Sequence, residues 1–218
     1  VTPALLAELE GYAPLAPQHQ PYNLAGIRAL AQRWPELPQV ACFDTAFHRT
    51  QPRLAQLFAL PRRYAEEGVL RYGFHGLSYQ YIAGQLPRLG LAADARVIVA
   101  HLGHGASLCA LHAGRSLATT MGFSTLDGLM MGQRCGALDP GVVLHLLRGG
   151  LDLHALERLL NDESGLQGVS GLSDDVRVLE ASSDPRAREA LELFAYRVAR
   201  EIGSLVAALG GLDALVFT

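Results

Sequence analysis

Apolar residues near the end of the chain recur with the period of a helix. Six of them follow one another at intervals of three or four residues, which places them on one helical face. They are Leu191, Phe194, Val198, Ile202, Leu205 and Leu209. Asp184–Pro185 supplies an N-cap and a first helical residue, and Gly210–Gly211 supplies a stop. The pattern predicts one long helix that buries this face in the core.

Shorter apolar runs, bounded by turns, predict strands. Two strands, over residues 96–101 and 107–111, flank the turn in "HLGHGAS", and the "HAGR" turn leads into a third strand in "SLATT". Strands joined by short turns pair with each other, so these three predict an antiparallel meander. The runs Val40–Phe43 and Leu212–Thr218 predict two further strands.

Caps and apolar spacing predict five shorter helices. One runs over Asn23–Arg33, and another is capped by Asp139 and opens with Pro140. The others lie in "LAQLFAL", in "GLSYQYIAGQL" and over Leu153–Leu160. Helices on both sides of a meander, with a final strand after the longest helix, predict an α/β fold with a partly parallel sheet.

Composition narrows the function classes. The chain has 218 residues, of which 50% are hydrophobic and 18% charged, with a formal net charge of −3. It has no run of Lys or Arg and no apolar run that would span a bilayer, so we expect no nucleic-acid partner and no membrane partner. Three cysteines without paired spacing, and the lack of a signal peptide, favour the reducing cytosol.

The glycine turn in "HLGHGAS" is the first candidate for chemistry. Gly103 and Gly105 carry no Cβ, so their backbone N–H groups can approach an anion such as a phosphate. The turn matches neither the dinucleotide fingerprint nor the Walker phosphate loop, and a tight turn without a ligand is the alternative. Nearby histidines, including His101 and His104, share no helical face and no zinc-binding pattern. Phosphate is therefore a better candidate than zinc.

Four other segments contain candidate residues, and three of them have a structural alternative. Asp44 follows a predicted strand and would be a general base, a metal ligand or a helix cap. His75, in "YGFHG", would be a catalytic or a structural histidine. Arg134 lies between two glycines and would clamp an oxyanion. Asp175 and Arg177, in "SDDVR", would bind a ligand or form a solvated loop pair.

Eight segments, taken together in their order along the chain, indicate a protein family far more specifically than any one of them does. They are "PLAPQH", "FDTAFH", "YGFHG", "HLGHGAS", "TTMGF", "MGQRCGALDPG", "ESGLQGVSGLSDDVR" and "LVFT". With these segments, the chain resembles the acetate kinase family from about Pro14 to its end. The family comprises short-chain carboxylate kinases of the acetate and propionate kinase type.

The resemblance implies a fold and a reaction. The family belongs to the actin-like ATPase superfamily, with two RNase H-like domains around a cleft. Residues 1–90 would then be the end of the N-terminal domain, and residues 91–218 most of the C-terminal, nucleotide-binding domain. The implied reaction transfers the γ-phosphoryl group of ATP, with Mg²⁺, to acetate or another short-chain carboxylate such as propionate, and back from the acyl phosphate to ADP. A cytoplasmic homodimer is also implied.

The resemblance also implies roles for particular residues. Asp44 matches the catalytic aspartate, His75 and Arg134 match stabilisers of the transition state, and His19 matches an active-site histidine. Nucleotide contacts are implied for His101, Leu102, Gly103, His104, Gly105, Asp175, Val176 and Arg177. No residue is assigned to a metal. Because acetate is already ionised, we expect Asp44 to orient other groups or to position a metal rather than to accept a proton.

Two departures from the family pattern qualify these expectations. His104 stands where the family usually has Asn, which adds bulk near the phosphates. The family's first strand would lie before Val1, and its adenosine-binding loop and a metal-binding glutamate after Thr218. We therefore expect the 218-residue chain alone to be inactive. The alternative to a kinase is an incomplete fragment that folds or self-associates without activity.

Overall fold

The computed structural model of the chain describes residues 1–13 and 20–218. They form two compact units, Val1–Phe43 and Asp44–Thr218. The predicted boundary between family domains after residue 90 stays a prediction. His19, one of the predicted site residues, lies outside the described residues.

In the described residues five helices precede three consecutive strands, and five more helices precede the last strand. The helices are α1 (Pro3–Gly11), α2 (Gln20–Arg33), α3 (Arg53–Gln56), α4 (Arg62–Glu66), α5 (Gly76–Gln85), α6 (Pro140–Arg148), α7 (Leu153–Asp162), α8 (Gly165–Ser170), α9 (Val176–Glu180) and α10 (Pro185–Leu209). The strands are β1 (Arg96–Leu102), β2 (Ala106–His112), β3 (Arg115–Thr119) and β4 (Ala214–Phe217). Two 3₁₀ turns cover Ala46–Thr50 and Leu86–Leu89.

Two helices lie in the described part of the first unit. The Thr2 hydroxyl accepts a hydrogen bond from the Leu5 N–H and caps α1. Leu9 of α1 and Leu24 of α2 are buried. The predicted helix over residues 23–33 is confirmed, and it begins three residues earlier, at Gln20.

The predicted strand over Val40–Phe43 is wrong. These residues are irregular, and the Val40 side chain is 84% exposed. A strand depends on a neighbour that takes its backbone hydrogen bonds, and the four described strands pair only with one another. The helix predicted in "LAQLFAL" forms only as α3, because the Gln56 carbonyl accepts the Arg71 N–H instead of continuing the helix.

The second unit is built on one four-stranded sheet in the order β3-β2-β1-β4. Neighbours β3, β2 and β1 are antiparallel, whereas β4 pairs with β1 in parallel. The predicted meander, final strand and mixed α/β sheet are therefore confirmed. On one face Ile98 and Leu108 pack against α10, and on the other face Val97 and Val99 pack against the layer that contains α5.

The helices after the sheet follow their caps. Asp184 accepts a hydrogen bond from the Arg186 N–H at the start of α10, and Gly210 ends the helix at φ +69°, as predicted. Asp139 caps α6 in the same way. Helices α8 and α9 were not predicted, because helices of five or six residues contain too few apolar positions to show a period. In the described part of the chain no helix is both long and apolar enough to cross a bilayer.

Candidate active site

The turn between β1 and β2 is where two predicted site residues meet. A Cβ at Gly105 would lie 2.5 Å from Arg134 Nη2 and 3.4 Å from His75 Nε2. Only a glycine leaves room for both side chains at this distance. The structure thus brings together Gly105, His75 and Arg134, which lie far apart in the sequence.

Arg134 is a buried cation whose charge has no partner within the described residues. Its side chain donates from Nη1 to the Thr125 carbonyl oxygen at 2.6 Å, and the residue is 7% exposed. No described carboxylate lies within ion-pair distance of the guanidinium. Burial lowers the Arg134 pKa from its ordinary value. A buried charge is costly unless it is paired, so the guanidinium is suited to binding an anion from outside.

The loop that carries Arg134 is fixed by backbone hydrogen bonds. The Met131 N–H donates to the Arg134 carbonyl oxygen at 3.1 Å, and the Gly132 N–H donates to the His104 carbonyl oxygen at 3.2 Å. The Ser164 N–H, at the start of α8, donates to the Gln133 carbonyl oxygen. The guanidinium is therefore preorganised.

His75 stands at the start of α5 in a left-handed conformation, with φ +58°. Its own side chain does not cap the helix. Instead, Asp44 Oδ2 accepts from the His75 N–H at 2.5 Å, and Asp44 Oδ1 accepts from the Leu77 N–H at 3.2 Å. Of the three interpretations of Asp44, the structure shows the helix cap, supplied from a distant segment. Its catalytic role stays a prediction.

The His75 imidazole belongs to a buried hydrogen-bond chain. Its Nδ1 lies 2.8 Å from Ser107 Oγ, and the Tyr79 hydroxyl bonds to the same oxygen. A buried hydroxyl needs an acceptor for its proton, and among the described residues the Tyr79 hydroxyl bonds only to Ser107 Oγ, so Tyr79 donates to Ser107, and Ser107 donates to His75 Nδ1. Nε2 then carries the proton and faces Gly105 and Arg134.

Burial keeps His75 neutral. Desolvation, followed by the neighbouring His101 ring, lowers the His75 pKa to about 4. The two imidazoles stack with centroids 4.3 Å apart, and His101 Nδ1 lies 3.1 Å from Ser78 Oγ. The His101 pKa is also lowered by burial. His75 therefore offers a neutral N–H donor at pH 7 rather than a positive charge.

The other residues of the predicted phosphate loop point in different directions. Leu102 packs against the apolar core between the sheet and α10. Gly103 is exposed. The exposed His104 ring pairs with Asp174, with Nε2 and Oδ2 3.0 Å apart. This contact joins the glycine turn to the "SDDVR" segment, which connects the two predicted nucleotide regions.

The triplet Asp175–Arg177 is a self-contained helix start. Asp175 accepts from the Arg177 N–H at 2.9 Å, and the Arg177 guanidinium forks around its carboxylate. This ion pair lowers the Asp175 pKa to about 2. Val176 and Arg177 are exposed. The structure shows the solvated pair that was the alternative, and a nucleotide contact here stays a prediction.

Sequence reasoning took Ser107 only as a small residue that extends the surface of the glycine turn, and it missed the contact of Ser107 with His75 and the site roles of Tyr79 and Thr125. A signal for Ser107 was present, because strand alternation puts His101 and Ser107 on the face of Val97 and Val99, and the two residues are direct cross-strand partners. No sequence signal marks Thr125, which contributes only its backbone carbonyl.

Metal ligands do not gather in this part of the molecule. Within residues 1–13 and 20–218 no group of three or more His, Cys, Asp or Glu side chains is placed to hold a metal ion. Both Asp44 oxygens already accept backbone N–H groups. The described residues therefore form no cage of three or more such ligands, and Mg²⁺ at phosphate sites binds through one or two carboxylates together with phosphate oxygens.

Comparison with known proteins gives one consistent family. The sequence profile of the Acetokinase family matches residues 1–218. An acetate kinase of Rhodopseudomonas palustris (strain ATCC BAA-98 / CGA009) is 63% identical over 221 residues, which cover 100% of this chain and 56% of that protein. An acetate kinase of Methylocella silvestris is 55% identical, and the match covers 100% of this chain and 54% of that protein. The chain thus spans about half the length of these relatives.

Solved structures that match this chain are also acetate and propionate kinases. The crystal structure of Porphyromonas gingivalis acetate kinase matches with a TM-score of 0.89 and 40% identity over 99% of this chain and 56% of that chain. A propionate kinase from Francisella tularensis matches with a TM-score of 0.93 and 38% identity over 99% of this chain and 57% of that chain. The α/β fold with a mixed sheet and flanking helices is thus the actin-like ATPase fold that the resemblance implies. The chain belongs to the acetokinase family.

Proposed function

We propose that the complete gene product is a short-chain carboxylate kinase. A carboxylate oxygen of acetate or propionate bonds to the γ-phosphorus of ATP while the bond to the ADP oxygen breaks, and the acyl phosphate returns the group in reverse. The buried guanidinium of Arg134, which pairs with no carboxylate among the described residues and lies beside His75 at a glycine turn, is the observation that carries this proposal.

Arg134 and His75 are proposed to stabilise the transferring phosphoryl group. Charge develops on its equatorial oxygens, and preorganised donors reduce the barrier without covalent chemistry. Arg134 donates N–H bonds and a positive charge, and His75 donates one N–H from Nε2. Since acetate is already ionised, no residue needs to remove a proton from it. Asp44 would act by holding the start of α5, and so the backbone of His75, in place.

The nucleotide is proposed to lie along the β1–β2 turn. The backbone of residues His101–Gly105 would face the phosphates of ATP or ADP, and Asp175–Arg177 would contact the nucleotide beyond them. Mg²⁺ would accompany ATP and neutralise part of its phosphate charge. The described residues do not form a cage for this ion, so no step is assigned to it here.

The remaining proposals concern the whole protein. We place it in the cytoplasm, in keeping with the free state of Cys42, Cys109 and Cys135. A homodimer, and a domain boundary after residue 90, are proposed from the family resemblance. We propose no nucleic-acid partner and no membrane partner.

The test is acyl phosphate formation by the purified gene product with ATP, Mg²⁺ and either acetate or propionate, detected as the hydroxamate. We expect turnover with at least one carboxylate, and the Arg134→Ala variant should lose it. Loss of acyl phosphate formation with every short-chain carboxylate, in a folded protein that binds ATP, would contradict the proposal. The ratio of the kcat/KM values for acetate and propionate then identifies the preferred acceptor.

A further inference from the structure

One peptide unit next to the candidate site is held at both of its polar ends. The Phe74 carbonyl oxygen lies 2.8 Å from His48 Nε2, and the His75 N–H donates to Asp44 Oδ2 at 2.5 Å. His48 and Asp44 belong to the same short segment, "FDTAFH". A single turn of chain thus bonds to both the C=O and the N–H of the Phe74–His75 peptide.

The His48 ring has only one arrangement of protons that fits its surroundings. A carbonyl oxygen accepts but cannot donate, so His48 Nε2 carries the proton. His48 Nδ1 must then accept, and it lies 2.9 Å from the Ser116 hydroxyl, which can donate. His48 is 2% exposed, and burial lowers its pKa. The neutral ring with its proton on Nε2 is therefore the state that satisfies both bonds.

Glycines on either side of the peptide let the "FDTAFH" segment come this close. At Gly73, where φ is +76°, a Cβ would lie 2.7 Å from His48 Cδ2, and at Gly76 it would overlap the Asp44 carbonyl oxygen. Each glycine thus faces one of the two holding residues. Between them His75 has φ +58°, a conformation that non-glycine residues rarely adopt without support.

We propose that His48 is a positioning residue: with Asp44 it fixes the Phe74–His75 peptide and thereby aims the His75 imidazole at Gly105 and Arg134. His48 touches none of the reacting groups, and it acts only through the backbone of His75. The effect on turnover rests on the proposed kinase function, whereas the effect on the His75 backbone does not.

The test compares two substitutions of His48, by Gln and by Asn, whose amide side chains differ only in length. In His48→Gln the side-chain nitrogen takes the place of Nε2 and can still donate to the Phe74 carbonyl oxygen. In His48→Asn the shorter amide reaches only the position of Nδ1, beside the Ser116 hydroxyl and the Cys109 thiol, and does not reach the Phe74 carbonyl oxygen. Ser116→Ala is the matched control, because it removes the other ring contact and leaves the bond to Phe74 in place.

In the complete gene product we expect His48→Asn to lower kcat by about 10- to 100-fold with KM for ATP nearly unchanged, because the effect is one of misplacement. His48→Gln and Ser116→Ala should stay within a few-fold of wild type. Equal kcat values for the Asn and Gln variants would overturn the proposal, because a merely structural histidine would not distinguish them.

Two measurements need no kinase activity. Nitrogen NMR of the wild-type ring should show His48 protonated on Nε2 alone across neutral pH, and the His75 amide should exchange its hydrogen faster in His48→Asn than in His48→Gln. Protonation on Nδ1, or equal exchange in the two variants, would overturn the proposal. A wild-type protein that makes no acyl phosphate but shows both signals would contradict only the kinase function.

Discussion

Arg134 and Arg177 are both predicted to meet the nucleotide, yet their surroundings differ in kind. Arg134 is buried, and its one described bond goes to a neutral carbonyl oxygen. The Arg177 side chain is 88% exposed and forks around the carboxylate of Asp175, two residues before it. Arg134 therefore has charge and donors available to a ligand, whereas Arg177 already has a partner.

A second comparison within the molecule explains the difference. At the start of α10, Asp184 accepts from the Arg186 N–H and pairs with the Arg186 guanidinium, in the same arrangement as Asp175 and Arg177 at the start of α9. An aspartate cap followed two residues later by a paired arginine is thus a local way to begin a helix here. Such a triplet is explained without a ligand, and the buried arginine is not.

The largest expected effect comes from Arg134. Arg134→Ala should lower kcat by about 10³-fold or more, because an arginine that stabilises a transferring phosphoryl group contributes roughly that factor. Stability should be kept, since no described carboxylate is left unpaired by the change. Hydroxamate detection of acyl phosphate and thermal unfolding would measure the two effects.

Two variants sharpen this result. Arg134→Lys retains the charge without the planar fork, and should recover only part of the activity. Arg200→Ala removes an exposed arginine of α10 and should match wild type. If Arg134→Ala kept kcat within a few-fold of wild type, Arg134 would have no part in the reaction.

The next effect is the pH dependence that His75 adds to stability. Its pKa is lowered from 6.5 to about 4 in the native state, mainly by burial. Between these values the unfolded chain binds a proton that the native state does not bind, so the free energy of unfolding falls as pH drops through this window. The full loss from this group is at most about 3 kcal/mol.

Urea unfolding at pH values across this window would measure it. His75→Gln should flatten the slope, although His48 and His101 add a residual dependence of the same sign. His154→Gln, at a side chain that is 86% exposed, is the control and should leave the slope unchanged. A steeper slope in His75→Gln would mean that the imidazole is charged in the native state.

A smaller effect is expected at Tyr79, which is fully buried and donates to Ser107. Tyr79→Phe removes that donor and leaves the Ser107 hydroxyl free to turn away from His75 Nδ1. We expect the free energy of unfolding to fall by about 1–3 kcal/mol and kcat to fall several-fold. Tyr81→Phe, on the same helix and 67% exposed, should change neither quantity. Equal kcat for the two variants would show that Tyr79 has no part in the hydrogen-bond chain that sets which His75 nitrogen carries the proton.

The parts of the fold that could be predicted depend on neighbours in the sequence. Helix α10 has its stripe, cap and glycine stop within one segment, and the meander has short turns between its strands. The strand over Val40–Phe43 failed for the opposite reason, because a strand depends on a partner elsewhere. Residue pattern alone does not show whether that partner is present.

The candidate site shows the same contrast between what depends on neighbouring residues in the sequence and what depends on distant ones. The motifs predicted Asp44, His75 and Arg134 as site residues, but residue pattern did not indicate that a carboxylate 31 positions away caps α5, or that a backbone carbonyl holds Arg134. These contacts form only when distant segments pack together. His48 had no sequence signal at all, since its role depends on the carbonyl of Phe74.

The smallest expected effect decides whether the Asp175–Arg177 triplet binds the nucleotide. Arg177→Ala and Arg186→Ala remove the same exposed guanidinium from the same local arrangement, so their structural consequences should be alike and small. If the triplet meets ATP, only Arg177→Ala raises KM for ATP, by several-fold and with kcat kept, because the lost contact would be the same in the ground state and the transition state. Steady-state kinetics of the complete gene product at varied ATP separates the two. If both variants keep the wild-type KM, this aspartate–arginine pair is only the start of α9, and the nucleotide contacts must be sought nearer to Gly105 and Arg134.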